Sequence, residues 1–252
     1  MIEIFFLSII QGITEFLPVS SSSHLILISN YIKFESQSLA IDVSLHIGSF
    51  FAVITYFRKD IFNLFINKDL FLKILISSIP VMIVGYLLVE FNLIEQLRNI
   101  KIIAWTTIIF GIILFISDKF EMKNSINRNF NYKSAIFIGI LQILSLVPGV
   151  SRSGITISAA RILKFNRYES AKISFLFSIP TLAAVSLFGL KNLITSETLS
   201  FSILNVGCIL FSFIFSFITI KFFLKYIKSF SLNIFVIYRI ILGIILLIFS
   251  SL

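Results

Sequence analysis

The sequence predicts an all-α integral membrane protein built as an inverted repeat of two halves, each a re-entrant helix pair followed by three transmembrane helices. Three observations predict it. The 252 residues are 58% hydrophobic and 13% charged, about half the charge that a soluble domain of this size carries on its surface. Six runs free of Asp, Glu, Lys and Arg cover 43–57, 74–89, 102–117, 173–190, 201–220 and 240–252, and each serves with its flanks as a span of roughly 20 residues. Two more apolar stretches, 1–32 and 134–163, are interrupted by residues that lipid rejects. The chain therefore reads as one polytopic membrane domain over 1–252, with the bilayer as its first partner.

The first interrupted stretch holds Glu15, Pro18 and the run Ser20, Ser21, Ser22, Ser23 before His24; the second holds Pro148, Gly149, Ser151, Arg152 and Ser153. Pro18 precedes Ser21 and Ser23 as Pro148 precedes Ser151 and Ser153, an offset of 130 positions. The same offset carries the run beginning at Val43 onto the one at Ile173, 74–89 onto 204–219, and 102–117 onto 232–247. An internal duplication follows, with repeats of approximately 1–120 and 131–252. Lys and Arg gather in 58–73, 119–133, 161–172 and 221–228, which assigns those segments to the cytoplasm and leaves 30–42, 90–101 and 191–200 outside. The first broken segment then enters from outside and the second from the cytoplasm, so the halves are inverted.

The balance of 21 basic to 12 acidic residues is what such loop charges produce, and it gives no ground for a nucleic-acid partner. Cys208 is the single cysteine, which excludes an intrachain disulfide and leaves a packing role. No Lys or Arg precedes Lys33 and no small-residue cleavage pattern is in place, so a removable signal peptide is not expected. A homodimer is left open.

Broken helices at the midplane of a membrane are tolerated around a protein-buried or watered cavity. Pro18 and Pro148 interrupt the helical ladder, and two half-helix N-termini beyond them would converge as an anion site. Gln11 and Glu15, four apart, share a helix face and can hold a hard divalent cation, Mg2+ or Ca2+; Glu15 can instead serve as a base, or be no more than an interfacial carboxylate. Arg152 at membrane depth calls for an anion, either a substrate phosphate or Glu15 in a structural pair. Ser21 with His24 three residues on permits nucleophilic chemistry, although serines in membrane helices more often satisfy backbone. His46 reads as packing or a cavity wall, and Asp42 and Arg239 as snorkelling or interior ion pairs.

The segments QGITEFLPVSSSSHL, 11–25, and LVPGVSRSGITIS, 146–158, resemble the two signature regions of the bacterial undecaprenyl-diphosphate phosphatase family associated with bacitracin resistance. The likeness extends over nearly the whole chain and includes SIP turns at 78–80 and 178–180 and IYR at 237–239. The resemblance implies a nucleophile at Ser21, a histidine role at His24, carboxylate and metal roles at Glu15 and Gln11, and a phosphate grip by Arg152 with Ser20, Ser151, Ser153 and Thr156 around it. Gln11 takes the less usual of two options, Ser22-Ser23 replaces Thr-Gly, and His46 replaces a common Gln. It also implies inverted repeats with paired re-entrant helices, in the inner (cytoplasmic) membrane, with the site opening outward. The expected reaction is hydrolysis of an isoprenyl diphosphate lipid to its monophosphate. The alternative is a secondary transporter or lipid flippase, because inverted repeats with broken helices also suit alternating access.

Overall fold

A computed structural model describes residues 2–31, 38–66, 68–195 and 203–251, and the outer segments expected over 30–42 and 191–200 lie partly outside them. The described residues form α1 (Ile2–Thr14), α2 (Ser21–Tyr31), α3 (Leu39–Tyr56), α4 (Arg58–Ile66), α5 (Lys68–Glu90), α6 (Ile94–Leu97), α7 (Ile100–Asp118), α8 (Ile126–Asn129), α9 (Tyr132–Gln142), α10 (Arg152–Ile162), α11 (Arg167–Thr195), α12 (Ile203–Ser229) and α13 (Asn233–Ser251). A 3-10 turn, Ile143–Leu146, continues α9 toward Pro148. No strand occurs among the described residues.

Five helices are long and apolar enough to cross a membrane: α5, α7, α11, α12 and α13. The sixth expected span, 43–57, forms α3, whose 18 residues reach only about 27 Å, short of the roughly 30 Å of a hydrocarbon core. Its surroundings explain its length. Helix α3 packs on α1, α11 and α12, and buries Ser44 and Ser49 as well as Val43, Leu45 and Val53. The outward faces of the longer helices carry the lipid-facing side chains, including Ile83, Ile109, Ile218 and Ile241, all exposed.

Small residues set the helix spacing. At Gly139 a Cβ would lie 2.3 Å from the Ser77 carbonyl oxygen, so α9 meets α5 backbone to backbone; at Gly48 it would lie 2.5 Å from the Ile209 carbonyl, where α3 crosses α12. Ser49 Oγ joins Ser212 and Ser216 across that second crossing at 3.2 and 3.0 Å.

The SIP tripeptides are not turns. Pro80 and Pro180 lie inside the continuous helices α5 and α11. Hydroxyls near each proline bind helix carbonyls: Ser78 to Ile74 at 2.9 Å, Ser178 to Phe175 at 2.6 Å, and Thr181 to Ser178 at 3.1 Å. On the side carrying the basic loops, Asp118 accepts a forked pair of bonds from Arg167 at 2.6 and 2.9 Å, and the buried Arg161 binds the carbonyls of Asp118, Phe120 and Phe165. This joint ties the end of α7 to α10 and α11.

Candidate active site

Two breaks meet in the interior. In the first, α1 ends at Thr14 and α2 begins at Ser21; in the second, the 3-10 turn ends at Leu146 and α10 begins at Arg152. The residue before each new helix is a serine in the left-handed region, Ser20 at φ 76° and Ser151 at φ 70°, a conformation costing on the order of 1–3 kcal/mol that the surroundings must enforce. Ser151 caps α10 by accepting from the Gly154 N–H at 3.1 Å. Ser20 Oγ accepts from the Gly149 N–H at 3.3 Å, and Ser153 donates to the Leu17 carbonyl at 2.7 Å, so each break is stitched to the other.

The prolines are 130 apart, but Ser20 and Ser151 are 131 apart, as are Gln11 and Gln142, Val19 and Val150, and Ser22 and Ser153. At that offset Ser20 falls on Ser151 and Ser21 on Arg152, the first residues of α2 and α10.

Those two first residues converge on one carboxylate. Ser21 Oγ donates to Glu15 Oε2 at 2.7 Å, and Arg152 Nη2 donates to Glu15 Oε1 at 3.0 Å. Gln11 Nε2 adds a third bond, to Oε2 at 3.1 Å. Arg152 also approaches the carbonyls of Glu15 and Ser174, both at 3.4 Å.

His24 is not part of that contact. Its Nδ1 lies 2.7 Å from the Ser20 carbonyl, so this nitrogen carries the proton, and Nε2 accepts from the Tyr238 hydroxyl at 2.5 Å. The imidazole stacks on the Tyr238 ring with both nitrogens engaged, and holds the backbone of Ser20 rather than the hydroxyl of Ser21. Ser153 and Thr156, expected at the phosphate, are likewise committed to the protein: Thr156 donates to Ser174 Oγ at 2.7 Å.

The expected cation ligands are arranged differently from a chelate. Glu15 already accepts three donors, and the Gln11 amide turns its NH2 toward the carboxylate, which aims its carbonyl oxygen away; the reverse orientation would oppose two acceptors. Gln11 Oε1 is left buried without a partner among the described residues, while both oxygens of Glu15 are engaged by protein donors.

Arg239 is the residue whose role the sequence least disclosed. It is fully buried in α13, and its guanidinium meets only carbonyls: Thr107 at 3.2 Å, Pro18 at 3.1 Å, Gly149 at 2.7 Å and Val150 at 3.1 Å. The interior ion pair expected for it is replaced by a clasp that holds both breaks at once. Pro18 and Gly149 are themselves 131 apart, so one side chain grips equivalent points of the two hairpins.

A cavity of about 720 Å³ lies above these residues. Its polar end is lined by Glu15, Ser20, Ser21, Ser22, Ser151 and Arg152, with His46 on the wall as one of the two readings had it. Its other walls are apolar, from α5 (Val81, Met82, Tyr86) and α11 (Leu182, Val185, Phe188), and Arg98 stands on the connection between α5 and α7. Tyr86 and Val185, at the apolar end of the cavity, are exposed.

The chain is similar to known proteins over nearly its whole length. Relatives named undecaprenyl-diphosphatase include one from Pelagibacter ubique (strain HTCC1062), 52% identical over 249 residues, covering 98% of this chain and 97% of its own. Another, from Aliivibrio salmonicida (strain LFI1238), is 42% identical over 255 residues, covering 96% and 95%. A third, from Saccharophagus degradans, is 41% identical over 251 residues, covering 94% of each. The family described as bacitracin resistance protein BacA matches residues 4–245, and the chain belongs to that family.

Proposed function

We propose that this chain hydrolyses undecaprenyl diphosphate to undecaprenyl phosphate and inorganic phosphate, recycling the lipid carrier of cell-wall glycan synthesis. The observation that carries the reading is the 2.7 Å bond from the Ser21 hydroxyl to Glu15, with Arg152 on the opposite carboxylate oxygen. A transporter has no need of a hydroxyl held on a buried base, and the relatives' names point the same way.

In this reading the terminal phosphoryl group enters beside Ser21 and Arg152 while the prenyl chain lies along the apolar walls and continues into lipid. Ser21 Oγ attacks phosphorus as its proton passes to Glu15; the Oγ–P bond forms, and the bridging P–O bond breaks with its electrons leaving on the lipid monophosphate. Protonation quenches the charge that held Arg152, so the guanidinium is released to phosphoryl oxygens as negative charge builds there. Glu15 passes that proton to the departing lipid phosphate and is a carboxylate again; water then attacks the seryl phosphorus as Glu15 takes its proton, the Oγ–P bond breaks, and Ser21 Oγ recovers the proton from Glu15. Attack by water held on Glu15, without a seryl ester, uses the same residues.

Several features support the inverted-repeat architecture. Helix α1 packs on α12 as α9 packs on α5, α3 packs on α12 as α11 packs on α5, and α3 meets α11 while α7 meets α13. Each hairpin thus rests on a helix of the opposite half. With the basic loops in the cytoplasm, the cavity, bordered by Ile94 and Arg98, opens to the outer face of the inner membrane.

The test is phosphate release by the detergent-purified chain given a C55 or C15 prenyl diphosphate. Release at enzymatic rates is expected; binding without release would favour a carrier.

A further inference from the structure

Gln142 is the last residue of α9, fully buried, and neither its Nε2 nor its Oε1 has a partner among the described residues. A carboxamide offers two donors and an acceptor, and unlike a serine hydroxyl it cannot turn back onto the preceding helical carbonyl. Of the buried side-chain atoms left unpaired among the described residues, only those of Gln142 belong to a residue that borders the cavity.

The repeat explains why it has no partner. Gln142 stands 131 residues after Gln11, whose Nε2 donates to Glu15 four residues on. The corresponding position four residues after Gln142 is Leu146, which has no acceptor to offer and which also lines the cavity. The first hairpin supplies its own anion to its glutamine. The second supplies the glutamine alone, at the edge of a space that already holds Arg152, Ser151 and Ser21.

We infer that Gln142 is a substrate-contacting residue whose Nε2–H donates to a phosphate oxygen of the diphosphate, the bound anion standing in for the carboxylate that Leu146 does not provide. The inference rests on the hydrolase reading above for its substrate and on the orphaned amide for its site. Its Oε1 is left to accept from a water or from a protonated phosphate oxygen. A neutral donor suits this place: a second cation beside Arg152 would hold the product anion, whereas an amide adds a directed bond without adding charge.

The test uses the full chain in detergent with Gln142→Met and Gln142→Glu, inorganic pyrophosphate as binding probe and C15 diphosphate as substrate. Met fills the same volume without polar atoms, so its melting midpoint should equal or exceed that of the parent. Pyrophosphate should raise the parent's melting temperature but require at least tenfold more to do so in the Met variant. Catalytic efficiency should fall about ten- to a hundredfold, chiefly through KM, as for a lost bond to a charged group. Gln142→Glu should lose more, because it opposes a carboxylate to the anion. A Met variant that binds pyrophosphate like the parent, or that loses only thermal stability, overturns the assignment. If the parent binds pyrophosphate yet releases no phosphate from prenyl diphosphates, the hydrolase reading fails while the binding comparison still judges Gln142. If the parent does not bind pyrophosphate, the Gln142 assignment falls, while phosphate release from the C15 diphosphate still judges the hydrolase reading.

Discussion

Ser21 and Arg152 hold opposite oxygens of the Glu15 carboxylate, and each is the first residue of its own half-helix. A hydroxyl from one break and a cation from the other are thus joined through a single acid.

Ser21→Ala should lower phosphate release by several orders of magnitude while a diphosphate lipid still binds, since the hydroxyl acts in bond making. Loss of a capping hydroxyl alone would cost about 1 kcal/mol in stability and a few-fold in rate. Turnover within tenfold of the parent would remove the seryl ester and leave water attack on Glu15.

Glu15→Gln keeps the shape but cannot take a proton. Rate should collapse with the concentration dependence on added Mg2+ or Ca2+ unaltered, as measured by metal titration after chelation. A shifted metal requirement would instead make Glu15 a cation ligand, against its present occupation by three donors.

Arg152→Lys should lose most activity although the charge is kept, because a guanidinium presents parallel N–H bonds to phosphate oxygens and an ammonium is a point charge. Near-normal turnover of the Lys protein would reduce Arg152 to a structural partner of Glu15.

Arg239→Lys should also be poorly tolerated, for a different reason. Four carbonyls share the guanidinium, and a buried carbonyl left without a donor costs about 1–3 kcal/mol. A fall in melting temperature together with at least a tenfold fall in kcat is expected; an unchanged melting temperature would mean that the breaks hold themselves without the clasp.

Cysteines placed singly at Asn127 and Asn92, in a Cys208→Ser background, should label from the cytoplasmic and outer sides respectively. Labelling of Asn127 from outside an intact cell would sink the inverted arrangement.

Much of this site was legible because lipid makes polar residues conspicuous. Glu15, the serine run and Arg152 stand out in apolar stretches. An offset read from the prolines is 130, whereas the left-handed serines Ser20 and Ser151 are 131 apart, because Pro148 stands one position earlier relative to its serine than Pro18 does. His24 was placed with Ser21 by spacing, but a neighbouring carbonyl and Tyr238, 214 residues away, claim its ring. Arg239 was visible as an anomaly and misread because carbonyl partners carry no residue type. The α3 helix and the SIP segments show the converse: composition located them, while buried packing and hydroxyl bonds decided their length and continuity.

The crossed packing of the hairpins also fixes when the enzyme can first work. Helix α1, which leads into Glu15 and Ser21, rests on α12, whose first residue emerges 189 positions after Thr14. At about 5–20 residues per second, the N-terminal hairpin waits roughly 10–40 seconds in the membrane for its seat. Arg239, which clasps both breaks, arrives later still. A truncated or stalled chain therefore carries Glu15 and Ser21 without the frame that orders them, and activity appears only when translation is all but complete.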